Sequence, residues 1–545
     1  MTNGNRLPAR FGNIALLGAT LIGALNPIVF WWGLFSGDAE IHLVYGRNLL
    51  RGYPLQFNLH MPNSGETSMG FMLIVSFVMR IFGAALAPVV IELLCLISLY
   101  SAAFAVFLIG GELGVRHPWR EIAAILFLWL PGNAYTAMYG TENILFAALG
   151  CFFVWSVIRA KWYNGSGSAS MLEDAVIGLA AGVLFWIRPE AIPLICILLF
   201  VRVIGAIAFK RDWRRETLHV GAFVLVFAIA IIAYVGIFRH YAGELPFGAG
   251  KARRLLSILN ESIWLLGVPV NLKVLIRIAS YFTVVIPALL IGIVALARRY
   301  FDLAIRLRVL AFAGIFFSFL AAYVFNLLPA AHFARYSVFI WPYGLILAVL
   351  CLQATWDAHW CKPVPYAVAM AALLLCFIGT AVYETELRIK LIGPNPSRLL
   401  ENVKQAPERR DQFSAELSTW LGLPVGAPAV LAVVEVQARY EVTDNFAILS
   451  LDGITDARLI PYFCGKWIDH DGYLIDGKAD YVMAFPNFNA DKTKWALSDL
   501  LSLKVGQSVI HPGITYTRTG QGAVHVTRTV NAGADRPEGN CPRSN

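Results

Sequence analysis

Asp38, Glu40, His42, Tyr45, Arg47 and Arg51 lie directly after the first hydrophobic span of the chain. Ionisable groups at the edge of a bilayer are costly unless they are solvated or used. A carboxylate at that level could serve as the base of a sugar transfer from lipid. Moving a sugar from a lipid phosphate to a hydroxyl needs a base for the hydroxyl proton, and no strong acid, because phosphate leaves readily. Asp38 is the candidate base, with Glu40 as the other acid in the cluster. A solvated or helix-capping carboxylate is the competing reading of that position. A lipid phosphate calls for cations at headgroup level, which Arg47, Arg239, Lys251 and Arg335 offer. Snorkelling or binding of bulk anionic lipid also explains such cations, and is preferred for Arg253 and Arg254. Candidate substrate contacts are His42, Tyr45, Glu142, Arg188, Glu190, Tyr241 and His332. An ion pair between neighbouring loops is the structural alternative for Glu142 and Arg188, and a hydrogen-bonded loop residue is the first reading of His332.

These groups need a scaffold in a membrane. The chain is 58% hydrophobic and 14% charged, with a mean hydropathy of +0.63, which describes a polytopic membrane protein. Its net charge of +9 fits basic cytoplasmic loops and implies no nucleic acid partner. Apolar stretches near 13–35, 84–110, 121–138, 142–159, 174–187, 189–208, 218–238, 276–297, 309–328, 338–354 and 364–383 give about eleven spans. Arg6 and Arg10 precede the first, which reads as a retained helix with its N-terminus in the cytoplasm. Basic loops carrying Arg116, Arg120, Arg159, Lys161, Arg211, Arg306 and Arg308 then fall on one side. Every loop with an unusual constellation falls on the other, a convergence that an active site requires. The apolar stretch 67–82 would invert that parity if it spanned, so an interfacial helix along the outer leaflet is expected. The reading divides the chain into a membrane domain, 1–383, with a long first outer loop at 36–83, and an extracytoplasmic α/β domain, 384–545. Strands are expected at 428–436, 447–451 and 481–485. Of eight cysteines, Cys464 and Cys541 lie in this polar part, where a disulfide between them is possible.

Gly37-Asp38-Ala39-Glu40-Ile41, then Tyr45-Gly46-Arg47-Asn48-Leu49 and Gly52, resembles the Asp-Asp-Ala-x-Ile…Arg-Tyr-Ala-x-Asn-Leu…Gly opening of one branch of the GT-C superfamily. Those are polytopic glycosyltransferases that use polyprenyl-phosphate sugars, and the branch includes the mycobacterial terminal β-arabinofuranosyltransferase. Further blocks follow in the family's order. Tyr139-Gly140-Thr141-Glu142 looks like its Ser-Gly-Met-Glu, and Arg188-Pro189-Glu190 like its Arg-Pro-Glu/Asp. Tyr241 through Pro246 to Lys251 is similar to its Tyr-Tyr-Gly-x-x-x-Pro-Asn-Thr-x-x-Ala-Lys, and Arg335-Tyr336 with Pro342 to its Arg-Phe/Tyr…Pro. Leu451-Asp452-Gly453-Ile454-Thr455-Asp456 looks like its Asp-x-x-Gly-Leu-x-Asp. The chain departs from the pattern at Gly37, at Glu40 and at Phe247-Gly248.

The resemblance implies a GT-C fold and transfer with inversion at the anomeric carbon. Asp38 or Glu40 would be the base, Asp38 preferred because it aligns with the family's second acid. Lys251 and an arginine would hold the departing phosphate. The partners implied are a polyprenyl-phosphate sugar donor, a cell-envelope glycan or glycolipid acceptor and membrane lipid. The place implied is the bacterial inner membrane, with the site facing the periplasm or cell exterior. Arabinofuranose is the named precedent for the sugar. No metal or other cofactor is expected, since the outer loops lack a dense carboxylate cage. A transporter would place its charges near the bilayer midplane and often show inverted repeats. An O-antigen ligase or polymerase would take pyrophosphate-linked substrates, and a scaffold for envelope assembly would need no base at all.

Overall fold

The computed structural model of the chain describes residues 9–35, 37–62, 65–66, 68–130, 132–166, 170–243, 302–325, 337–357, 397–433, 439–451, 470–483, 503–511, 514–520 and 523–528, with short pieces at 251, 254–255, 258, 262–265, 268–271, 327, 463–464, 467–468 and 500. Helix α1 (Ala9–Asn26) runs into a π-helical turn, Pro27–Trp31, where proline has no backbone donor to continue the α-helical ladder. The chain then turns sharply into α2 (Asp38–Leu50). That turn is tied from two directions. The Gly33 amide donates to buried Glu92 at 2.7 Å, and the Gly33 carbonyl accepts from Leu400 at 3.0 Å.

Gly37 makes the turn possible. Its φ is +67°, and a Cβ there would collide with the Tyr139 hydroxyl. Gly37→Ala is therefore expected to destabilise the protein by about 1–3 kcal/mol through backbone strain and overpacking. Tyr139→Phe removes the nearest clashing atom, so the double variant should regain part of that loss in thermal unfolding. Full additivity of the two substitutions would refute the contact.

Helix α3 (Met69–Glu112) is kinked at Gly83. Before the kink, Leu73, Phe77 and Ile81 form an exposed apolar row at helical spacing, while Phe71, Met72, Val75 and Met79 are buried. The expected helix at 67–82 is thus this first half, continuous in chain with the span that follows. The expected span 121–138, which its sequence marks as short or broken, is indeed broken. It is two pieces, α4 (Trp119–Trp129) and α5 (Asn133–Met138), separated at Gly132 in a left-handed conformation. The reason is in the sequence, where Pro131-Gly132 interrupts the apolar run. The bundle continues with α6 (Asn143–Arg159), α7 (Met171–Ile187), α8 (Ala191–Ala208), α9 (Trp213–Ala242), α10 (Leu303–Val324) and α11 (Trp341–Asp357). Among the described residues, α3, α8, α9 and α10 are long and apolar enough to cross a membrane. Spans expected at 276–297 and 364–383 lie outside the described residues.

The two ends of the bundle carry different chemistry. Asp174, near the start of α7, accepts from Arg202 at 2.7 Å, Trp162 at 2.7 Å and His219 at 2.7 Å, and Arg202 also reaches Glu216 at 2.5 Å. This clamp ties α7, α8 and α9. Arg211 and Arg308 join the same end through the carbonyls of Trp162 and Glu112. The basic loops therefore converge, as their charges suggest. Arg188 follows the other end of α7, where the candidate residues gather.

The C-terminal domain begins with α12 (Ser397–Leu421), which packs on α3. Its sheet has the order β10-β11-β12-β9-β5-β6. β5 (Ala429–Val433), β6 (Phe446–Ser450) and β9 (Tyr481–Met483) run parallel, and are the strands expected from sequence. β10 (Ser508–His511), β11 (Ile514–Gly520) and β12 (Ala523–Arg528) extend the sheet antiparallel. The outer loop reaches this sheet through β1 (Gln56–Asn58). Asn58 donates to the Ile448 carbonyl at 2.8 Å and accepts from its amide at 2.9 Å. Asn48 anchors the same strand to α2 through the Gln56 and Phe57 carbonyls.

Candidate active site

Helix α2 presents two faces. At 100° per residue, Asp38, His42 and Tyr45 share one side, and Glu40, Arg47 and Arg51 share the opposite one. Asp38 stands in the first turn, where a negative charge is favoured by the helix dipole, and it is half-buried. Glu40 is buried, 6% exposed. Tyr45 packs its ring on Phe57 at 5.6 Å.

His42 is held between two carboxylates. Its Nδ1 lies 3.0 Å from Glu66 and its Nε2 3.0 Å from Glu142. Arg188 continues the chain of charges, donating to Glu142 at 2.7 Å, to Glu190 at 2.5 Å and 3.1 Å, and to Asn143. Glu66 also caps the start of α3 by accepting from the Ser68 amide at 2.7 Å. The structural alternative for Glu142 and Arg188, an ion pair between neighbouring loops, is present, and His42 and Glu66 extend it.

Burial alone would lower the pKa of His42, but Glu66 and Glu142 outweigh it and raise it well above the ordinary value. Both ring nitrogens of the charged imidazole then donate, one to Glu66 and one to Glu142. Burial pushes Glu142 the other way, and Arg188 with His42 overcomes it and holds that carboxyl at about 2. The signs fix a stability profile. Glu142 contributes fully above the ordinary carboxyl range and less as pH falls toward about 2. His42 contributes fully below its unfolded value of about 6.5, and that contribution is lost as pH rises through its raised folded value. Thermal unfolding in detergent should show a plateau falling on both sides. His42→Gln should flatten the alkaline limb, and an unchanged limb would remove His42 from the account.

The other predicted residues are placed apart from this network. Glu40 and Arg47 face the C-terminal domain, with the Arg47 guanidinium 5.9 Å from the Tyr440 ring centroid. Arg239 and Tyr241 are exposed on the last turns of α9, and Lys251 is exposed. Arg335, His332, and Cys541 of the cysteine pair lie outside the described residues. Sequence reasoning missed Glu66, whose one signal is an acid just before the Ser68 start of a long helix. It also missed Arg410, Arg439, Tyr440 and Asp444, which meet α2 across most of the chain's length.

No protein-family model matches the chain, and no curated protein matches its sequence. Solved structures do resemble it. The crystal structure of ArnT from Cupriavidus metallidurans bound to undecaprenyl phosphate superposes with a TM-score of 0.54 at 13% identity, covering 97% of this chain and 100% of that one. The Archaeoglobus fulgidus oligosaccharyltransferase tethered with an acceptor peptide gives 0.56 at 13% identity, over 96% of this chain and 75% of that one. AglB from the same organism, in complex with an inhibitory peptide and a dolichol-phosphate, gives 0.50 at 13% identity, over 87% and 69%. At such identities the likeness is one of fold: a helical bundle followed by a C-terminal domain that carries a sheet.

Proposed function

We propose that the chain is a membrane glycosyltransferase that moves a sugar from a polyprenyl-phosphate donor to a glycan or glycolipid acceptor, with Asp38 as general base. The observation that carries this reading is the division of labour on α2. Asp38 is half-buried at the helix start on the same side as His42, whose ring is held by two carboxylates, while Glu40 is buried on the opposite face. In the reaction Asp38 takes the acceptor hydroxyl proton. The hydroxyl oxygen attacks the anomeric carbon, and the carbon–phosphate oxygen bond breaks with its electron pair leaving on the phosphate. Attack opposite the leaving group inverts the anomeric centre. Lys251, Arg239 and Arg335 are the candidate holders of that phosphate. The site faces the periplasm or cell exterior of a bacterial inner membrane in this reading, and arabinofuranose is the first sugar to try.

The test is transfer by purified protein in lipid, from a panel of synthetic polyprenyl-phosphate sugars to envelope glycans. Turnover with one donor supports the reading and names the sugar. Failure of the whole panel both to turn over and to bind refutes it.

A further inference from the structure

The second face of α2 meets the C-terminal domain in a cluster of four arginines. Arg51 bonds Asp444 at 2.8 Å and Arg439 bonds the other oxygen of the same carboxylate at 2.6 Å. Arg410 donates to the Tyr440 carbonyl at 3.2 Å and 3.0 Å, and its guanidinium lies 5.6 Å from the Tyr440 ring centroid. Arg47 covers the same ring. Asp444 is thus shared between two of the four cations.

Arg47 is 8% exposed. Its Nη1 and Nη2 are shut from solvent and have no hydrogen-bond partner among the described residues, and the same holds for Arg439 Nε and the Tyr440 hydroxyl. Burying a charged fork without acceptors is strongly unfavourable. Burial first, then Arg410, Arg439 and Arg51, push the Arg47 pKa down to about 9. Glu40 lies on the same face within electrostatic reach of Tyr440, yet the Arg47 Nη donors stay unbonded, and an anion with several acceptor oxygens would satisfy them. The rim is accessible, since the side chains of Arg51 and Asp444 are 41% and 38% exposed.

We propose that Arg47, Arg410, Arg439 and the Tyr440 hydroxyl form a binding site for an anionic group, phosphate or carboxylate, on the acceptor. Its position argues against the donor's own phosphate. Reacting atoms sit about 3–3.5 Å apart, so the leaving phosphate stays within a sugar ring of the base. Arg47 lies nine residues beyond Asp38, about 13 Å along the axis and on the opposite side of the helix. A glycan lying across α2 would bring a hydroxyl to Asp38 while a charged substituent further along it rests on Arg47. Naming the ligand as the acceptor rests on the transferase reading; the anion site itself does not.

The experiment is thermal unfolding of the purified full-length chain in neutral detergent, titrated with inorganic phosphate and with glucuronate at constant ionic strength against chloride. The wild type should rise by about 2–4 °C at roughly a hundredfold Kd for at least one probe. Arg47→Met should give no rise, and without probe it should unfold no lower than wild type, because it removes an unpaired buried charge. Arg410→Gln, on a half-buried residue, should weaken the response even if Arg47→Met does not fold. A wild type indifferent to both probes overturns the site, as does an equal rise in wild type and variants. A third arm titrates undecaprenyl phosphate. Binding unchanged by these substitutions supports the acceptor assignment, and binding lost with them overturns it in favour of the donor. Because every arm reads binding, a failed transfer panel would leave these outcomes intact and fall on the transferase reading alone.

Discussion

Asp38→Asn should lower kcat by roughly 10²–10⁴-fold, leave donor binding intact and leave the unfolding temperature within a degree or so. The substitution preserves shape and hydrogen-bonding reach and removes only the ability to take a proton. Binding survives in the transferase reading because cations other than Asp38 would hold the phosphate. Folding survives because the residue is half-buried and asparagine keeps its size and most of its hydrogen-bonding reach. Glu40→Gln makes the contrast. Glu40 is buried on the opposite face and within electrostatic reach of Tyr440, so its loss should cost far less turnover. Transfer measured on both variants with the same donor decides between them. A large loss at Glu40 with a small one at Asp38 would move the base to the other face of the helix and with it the substrate.

The second large effect is on stability. Arg188→Met should destabilise the chain by about 3–5 kcal/mol, because it leaves Glu142 and Glu190 without the cation between them. Glu142 would be the worse placed of the two, at 5% exposure. Adding Glu142→Gln removes that orphaned charge, so the double variant should recover part of the loss, with a coupling of about 1 kcal/mol or more. Chemical unfolding in detergent measures both. Single variants within about 0.5 kcal/mol of wild type would reduce the network to a surface pair.

What the sequence disclosed follows from how far each signal travels along the chain. Charges in an apolar chain stand out, so Asp38, His42, Glu142 and Arg188 could be grouped at one end before any coordinates. The strands β5, β6 and β9 were legible as short apolar runs. β11 is a different kind of strand: in Ile514-Thr515-Tyr516-Thr517-Arg518 only Ile514 and Tyr516 are buried, so it shows as a short alternation and not as an apolar run. Helix α12 was hidden by Pro407, which the structure carries inside the helix. The arginine cluster had no local signal at all. Arg51 and Asp444 are 393 positions apart, and neither residue's neighbours announce the other. The role of Gly37 was equally silent, since its cause is the Tyr139 ring from a different loop.

The pairing of Asn58 with Ile448 has a consequence for how the protein is made. Its two partners are separated by 390 positions. At about 5–20 residues per second of synthesis, the outer loop waits some tens of seconds for the strand that completes it. During that interval α2 has its membrane-side packing but no C-terminal domain against Arg47 and Arg51. The helical bundle can therefore be inserted well before the loop is finished. The surroundings of α2 are therefore completed late in biogenesis, and a chain cut short before β6 would be a seated but unfinished protein.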